Sequence, residues 1–239
     1  MADITTVLFD LDGTLLPMDQ ETFVSAYLGL LAQKMAPLGY DPKQLVKAIW
    51  SGVGAMAAND GSRTNEDAFW DDFAARLGAE HLNDKPVFED FYAHEFQQAQ
   101  PSCGYDERAA ETVALTQNLG FRVALATNPI FPAVATLSRV RWAGMDPDTF
   151  ELVTTYEDSR TCKPNPAYFS EVAERLGVAP EHCLMVGNDL TEDTAAAQVG
   201  MGVFILTDSL IAPEGTDLEA WEHGGFPELQ AYLRGIAAR

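Results

Sequence analysis

Two carboxylates, Asp10 and Asp12, end the apolar run Val7-Leu8-Phe9 and are followed at once by Gly13 and Thr14. Alternate residues leaving a strand point the same way, so the pair emerges together. Gly13 permits the sharp turn that follows. Carboxylates that close repel one another unless a cation, a proton or a substrate intervenes. The arrangement therefore points to metal-assisted chemistry. Asp, Gly and Thr are also ordinary turn residues. A calcium loop of the EF-hand kind needs acceptors at alternate positions and a closing Glu, whereas Leu15, Leu16, Pro17 and Met18 follow here.

Three later segments carry compatible chemistry. Thr127-Asn128-Pro129 follows the apolar residues 121–126, where a hydroxyl and neighbouring backbone N–H groups can hold an anionic oxygen. Lys163 sits in Cys162-Lys163-Pro164-Asn165-Pro166, where two prolines restrict the backbone around it. Met185-Val186-Gly187 breaks into Asn188-Asp189-Leu190-Thr191-Glu192-Asp193. Acids there suit a hard cation, and they equally suit a helix N-terminus.

These residues need strands to present them. Five short apolar runs read as buried strands: residues 6–9, 121–126, 150–154, 183–186 and 202–206. Helical stretches separate most of them, the pattern of a parallel sheet with crossover helices, and ligands bind at the C-terminal ends of such strands. Between the first two runs lie about 110 residues without a strand signal, too long for a loop. Asp41-Pro42 reads as an N-cap and first helical position after Gly39. Leu45, Val46, Ile49, Trp50 and Val53 then share a face. Thr64 reads as a second cap, ahead of Phe69, Trp70, Phe73 and Leu77, with Gly78 beyond. Residues 87–99 continue the helical pattern, and 101–104 read as a return linker. The aromatic stripes are expected to be core. Gly52 and Gly54 mark a close helix approach or an early helix end. The expected fold class is α/β: a Rossmann-like parallel core from residues 1–16 and 101–239, with a helical insertion at 17–100.

The four segments in this order resemble the haloacid dehalogenase superfamily, whose first motif is D-x-D-G-T after an apolar strand. Its C1-capped members carry a helical insertion at this place. The resemblance implies that Asp10 is a nucleophile, that Asp12 is an acid/base, and that Thr127, with Asn128, binds the transferred phosphoryl group. It also implies that Lys163 neutralises the nucleophile and the phosphate. Magnesium would be held by Asp10, the Asp12 backbone carbonyl and an acid of the last motif. That motif departs from the family's G-D pattern, because Asn188 occupies the usual acid's place. Asp189 is expected as the direct ligand, Asn188 is the alternative, and Asp193 is expected to act through water or by holding Lys163. Asp12 separates the branches: dehalogenases lack it, and phosphonatases usually lack it and use a cap lysine, for which Lys47 would be the candidate. The implied function is a magnesium-dependent phosphatase acting on a small phosphorylated metabolite through an aspartyl-phosphate. A sugar phosphomutase is the nearest alternative, and a non-catalytic phosphate sensor is a further one. Arg63, in the polar stretch 59–65, is a candidate substrate anchor.

The net charge of -21 argues against nucleic acid or an anionic membrane as partner, since both call for a basic surface. Cys103, Cys162 and Cys183 are few and widely spaced, which fits a reduced, cytoplasmic setting. No long apolar run or signal-like start is seen. The expected assembly is a monomer or a homodimer.

Overall fold

Alternate residues of four parallel strands divide between two hydrophobic cores. In β1 (Thr6–Phe9) Val7 and Phe9 face one core and Leu8 the other. In β3 (Cys183–Gly187) Leu184 and Val186 face the first, and Cys183 and Met185 the second. β2 (Arg122–Leu125) and β4 (Gly202–Leu206) alternate in the same way. This is the pattern of a sheet covered on both faces. The computed structural model describes residues 3–238. Residues 1, 2 and 239, at the outer ends of the expected core segments, lie outside the described residues.

A three-residue β5 (Glu222–Gly224) completes an all-parallel sheet in the order β2-β1-β3-β4-β5. Chain direction across the sheet reverses between β1 and β3, the position where open sheets of this order bind ligands. The strand expected at 150–154 is an extended segment beside β2 rather than a full strand. Glu151 N donates to Val123 O at 2.9 Å, Leu125 N to Leu152 O at 2.8 Å and Thr154 N to Leu125 O at 3.1 Å, but only Leu125 and Val153 form a bridge. A tight 3-10 turn, Pro147–Thr149, precedes it, and the Asp158 carboxylate accepts from Thr155 N just after it.

The insertion is helical as expected. Four helices, α1 (Gln20–Met35), α2 (Pro42–Ala57), α3 (Asn65–Leu77) and α4 (Lys85–Ala93), precede a 3-10 run, Glu95–Ser102. The expected caps form: Asp41 accepts from Gln44 N at 2.9 Å and Thr64 from Asp67 N at 3.1 Å. A Cβ on Gly52 would lie 2.4 Å from the Phe69 ring, so α2 and α3 touch there, whereas Gly54 faces open space. Phe69, Trp70 and Phe73 are buried as expected, but Trp50 is 53% exposed. The insertion's two ends meet: Met18 and Cys103 form an antiparallel bridge, and Gly104 N donates to Pro17 O at 2.6 Å.

Helices α5 (Glu107–Asn118), α6 (Ala133–Trp142) and α8 (Phe226–Ala237) contribute to the first core, and α7 (Pro166–Leu176) to the second. Among the described residues no helix is long and apolar enough to cross a membrane.

Candidate active site

Asp10 directly follows β1 and Asn188 directly follows β3, so the two leave neighbouring strands at the point of reversal. Asp10 N donates to Val186 O at 2.9 Å, extending the ladder one residue into the site. The Lys163 ammonium donates to Asp10 Oδ1 at 2.9 Å and to Asp193 Oδ1 at 2.7 Å. The Thr14 hydroxyl lies 3.2 Å from Asp10 Oδ2 and 3.0 Å from Asn188 Oδ1, shared between the two oxygens. The five side chains come from three stretches of chain: Asp10 and Thr14 after β1, Asn188 and Asp193 after β3, and Lys163 in the loop before residue 166.

Burial sets the electrostatics. It pushes the Asp10 carboxyl up to about 7, against the pull of Lys163 and with a further push from Asp193 and Asp12. Burial works to lower the Lys163 pKa, yet Asp10 and Asp193 hold it well above the ordinary lysine value. The ammonium thus stays charged between two acids. Glu192 is likewise pushed up to about 7 by burial, and its Oε1 accepts from Asn128 Nδ2 at 3.0 Å.

Asp10, Asp12, Thr127, Asn128, Asn188 and Asp193 border one cavity of about 170 Å³, together with Asp189 and Glu192. The Thr127 carbonyl is fixed by two hydroxyls, from Thr154 at 2.7 Å and Tyr168 at 2.9 Å. Asp12 Oδ2 pairs with Arg139 Nη1, and Asp12 Oδ1 is buried without a hydrogen-bond partner. Asp193 both holds Lys163 and accepts from Asp189 N at 3.0 Å. A Cβ on Gly187 would lie 2.0 Å from Asp193 Oδ2, so glycine is what lets that carboxylate approach the strand end.

Asn188 and Asp189 separate clearly. Asn188 is 2% exposed, packs against Gly13, and turns its amide oxygen toward Thr14 and Asp10, while its Nδ2 donates to Ser209 O at 2.7 Å. Asp189 instead points Oδ1 at Thr191 N (2.6 Å) and Glu192 N (3.0 Å). It caps the following turn in the way Asp commonly does. Asn188, and not the expected Asp189, places its side-chain oxygen on the Thr14 hydroxyl that also reaches Asp10. Arg63 is not brought to the site: it pairs with Asp71 of α3 and is absent from the cavity wall. A flexible arginine on a polar turn finds the nearest exposed acid. Lys47 is exposed and likewise borders no part of the cavity.

Among the described residues no group of three or more His, Cys, Asp or Glu side chains is placed to hold a metal ion. The residues present nevertheless fit a hard cation that keeps much of its water. Asp10 and Asn188 supply oxygens sharing one hydroxyl, and a buried Asp12 oxygen lacks a partner. Magnesium takes one or two protein carboxylates and retains several waters.

Sequence reasoning missed Arg139, Tyr168, Glu192 and Thr14 as members of the site. Thr14 and Glu192 stood inside motifs already singled out. Arg139 lies in the last turn of α6, where a basic residue usually complements the helix dipole, and nothing local marks it as buried.

The family model described as haloacid dehalogenase-like hydrolase matches residues 4–200. A pyrophosphatase PpaX of Halalkalibacterium halodurans is 26% identical over 187 residues, covering 78% of this chain and 76% of that protein. A phosphoglycolate phosphatase of Shigella dysenteriae is 26% identical over 227 residues, covering 90% and 86%. The crystal structure of a HAD phosphatase from Thermococcus onnurineus superposes with a TM-score of 0.61 at 24% identity, covering 97% of this chain and 99% of that one.

Proposed function

The chain belongs to the haloacid dehalogenase-like hydrolases, and from that premise we propose that it is a magnesium-dependent cytoplasmic phosphatase. It hydrolyses a small phosphorylated metabolite through an aspartyl-phosphate on Asp10. One observation carries the reading: a buried lysine ties Asp10 to Asp193, while Asp12, two residues on, borders the same cavity. A nucleophile, a fixed cation and a second acid are thereby brought together. Relatives named as phosphatases support the same reaction class.

The chemistry divides into two displacements at phosphorus. Asp10 attacks, the bond to the leaving oxygen breaks, and Asp12 gives that oxygen a proton. In the second step a water oxygen attacks the acyl phosphate while Asp12 takes its proton, which releases inorganic phosphate and restores Asp10. Lys163 and the Thr127 hydroxyl bind and orient the phosphoryl oxygens as charge shifts between them. Asp193 holds Lys163 in place, and Thr154 and Tyr168 hold the backbone of Thr127. When bound by Asp10, Asn188 and the Asp12 carbonyl, magnesium would offset the repulsion between Asp10 and the phosphate. Residues 17–100 serve as a cap: Met18, Gln20, Phe23, Val24 and Trp50 border the cavity from that segment, where they can exclude water.

A panel of phosphate monoesters with magnesium tests the reading. Release of inorganic phosphate that stops in Asp10→Asn is expected. Absence of turnover on every monoester would overturn the proposal. Turnover that appears only with a bisphosphate activator would mark a phosphomutase.

A further inference from the structure

We propose that the alcohol released by this enzyme is small, uncharged and apolar; the inference rests on the phosphatase reading and extends it to the substrate. The cavity that holds Asp10 is lined by two unlike groups of residues. One is the polar floor at the strand ends. The other is built from Met18, Phe23, Val24 and Trp50 of the helical segment and from Ile130 and Phe131 after β2. Gln20 is the one polar residue that the helical segment adds to the wall.

Two wall positions depart from what folding alone asks. Trp50 is 53% exposed and Ile211, also on the wall, is 39% exposed. They are among the few large apolar side chains left uncovered among the described residues, and both lie at this cavity. Scattered apolar exposure needs no explanation, but exposed apolar residues gathered around a polar reaction centre mark a surface awaiting an apolar ligand.

Charge sharpens the choice. Among the described residues no Lys, Arg or His borders the cavity. Of the nearby cations, Lys163, held by Asp10 and Asp193, serves the phosphoryl group, and Arg139 is paired with Asp12. Asp189 and Glu192 add acid to the wall. A leaving group with its own carboxylate or second phosphate would meet acids and apolar side chains, with no side-chain cation beyond the one that serves the transferred phosphoryl group. A polyhydroxylated sugar would find Gln20 alone on the helical side. The phosphoryl group takes the polar end of a cavity of about 170 Å³, a volume that a single aromatic ring fills by itself, so the leaving group is small and extends toward the exposed Trp50 and Ile211. Pyrophosphate and phosphoglycolate are anionic on both sides of the scissile bond; this wall is not built for them.

The full-length protein with magnesium is assayed on benzyl phosphate, methyl phosphate, glycerol phosphate, phosphoglycolate and pyrophosphate. The expected order places benzyl phosphate at least about tenfold above each of the others in kcat/KM. Equal or better turnover of phosphoglycolate, pyrophosphate or glycerol phosphate overturns the inference and leaves the phosphatase reading standing. No turnover of any compound overturns both. Trp50→Ala, at an exposed position, is expected to lower kcat/KM on benzyl phosphate about tenfold and to lower that on methyl phosphate less. An unchanged ratio between the two esters would remove the apolar wall as the source of the preference.

Discussion

The Asp12 carboxylate is held by Arg139, a fully buried side chain of α6 whose guanidinium lies 4.2 Å from the centre of the Phe131 ring. Thr136 receives a second contact from the same group, at 3.3 Å. Arg139 therefore positions Asp12, the proposed acid/base, without itself bordering the cavity. Arg139→Met is expected to reduce kcat on every ester alike and to cost about 3 kcal/mol of stability, because it leaves a largely buried carboxylate without its partner. Arg139→Lys restores the charge without the planar fork and should recover stability before activity. Steady-state kinetics beside denaturant unfolding check this, and a wild-type kcat in Arg139→Met would exclude the positioning role.

Asp10→Asn should behave differently. Lys163 keeps Asp193 at 2.7 Å when Asp10 loses its charge, so the buried ammonium is not stranded. The variant is expected to fold with near-normal stability and to lose roughly a thousandfold or more in kcat. A folded Asp10→Asn with substantial turnover would remove Asp10 as the nucleophile.

The contrast between Asp10 and Arg139 also shows what the sequence makes legible. Asp10, Thr127 and the Asn188-Asp189 pair follow strands whose apolar runs are visible, so one sheet brings them together, and Lys163 is legible from the two prolines that fix the loop around it. The helix caps at Asp41 and Thr64 are legible because their partners lie three residues away. Arg139 is not, since its partner Asp12 is 127 residues distant. β5 is not either: Glu222-His223-Gly224 has no apolar run, and it pairs only because β4 offers an edge. Trp50 fits the helical face of α2 by periodicity, and only the tertiary placement leaves it beside the cavity instead of inside the core. The choice between Asn188 and Asp189 depends on which side chain the following turn uses as its cap, a local competition that spacing does not settle.

That choice predicts a difference in metal response. Asn188→Ala removes the amide oxygen next to Asp10 and should raise the magnesium concentration for half-maximal activity by about tenfold. Asp189→Ala removes a cap on Thr191 and Glu192 and should lower stability by about 1 kcal/mol with a smaller change in magnesium requirement. Magnesium titrations of both variants decide it, and the reverse order would assign the ligand to Asp189. Gly13→Ala should resemble Asn188→Ala, because a Cβ there would sit 2.3 Å from Asn188 Nδ2 at a φ of +86°.

Stability of the helical segment should depend on pH through Asp84. The Tyr40 hydroxyl donates to Asp84 Oδ2 at 2.7 Å, tying the turn after α1 to the start of α4. That hydrogen bond, with help from His81 and against the effect of burial, holds the Asp84 carboxyl below its ordinary value. A depressed carboxyl binds its proton more weakly in the folded protein than in the unfolded chain. Its contribution is therefore complete above the ordinary carboxylate pKa of about 4 and is lost as pH falls through the lower folded value. Tyr40→Phe deletes the donor while keeping the ring that packs near Phe73 and Phe88. The variant is expected to be about 1 kcal/mol less stable at pH 7, a figure kept small because the pair is partly exposed to solvent. The gap should narrow as pH drops toward 3. Denaturant unfolding of both proteins at the two pH values measures it, and a gap that stays constant or widens in acid would mean that the Tyr40 hydroxyl stabilises the fold by some route other than the Asp84 carboxylate.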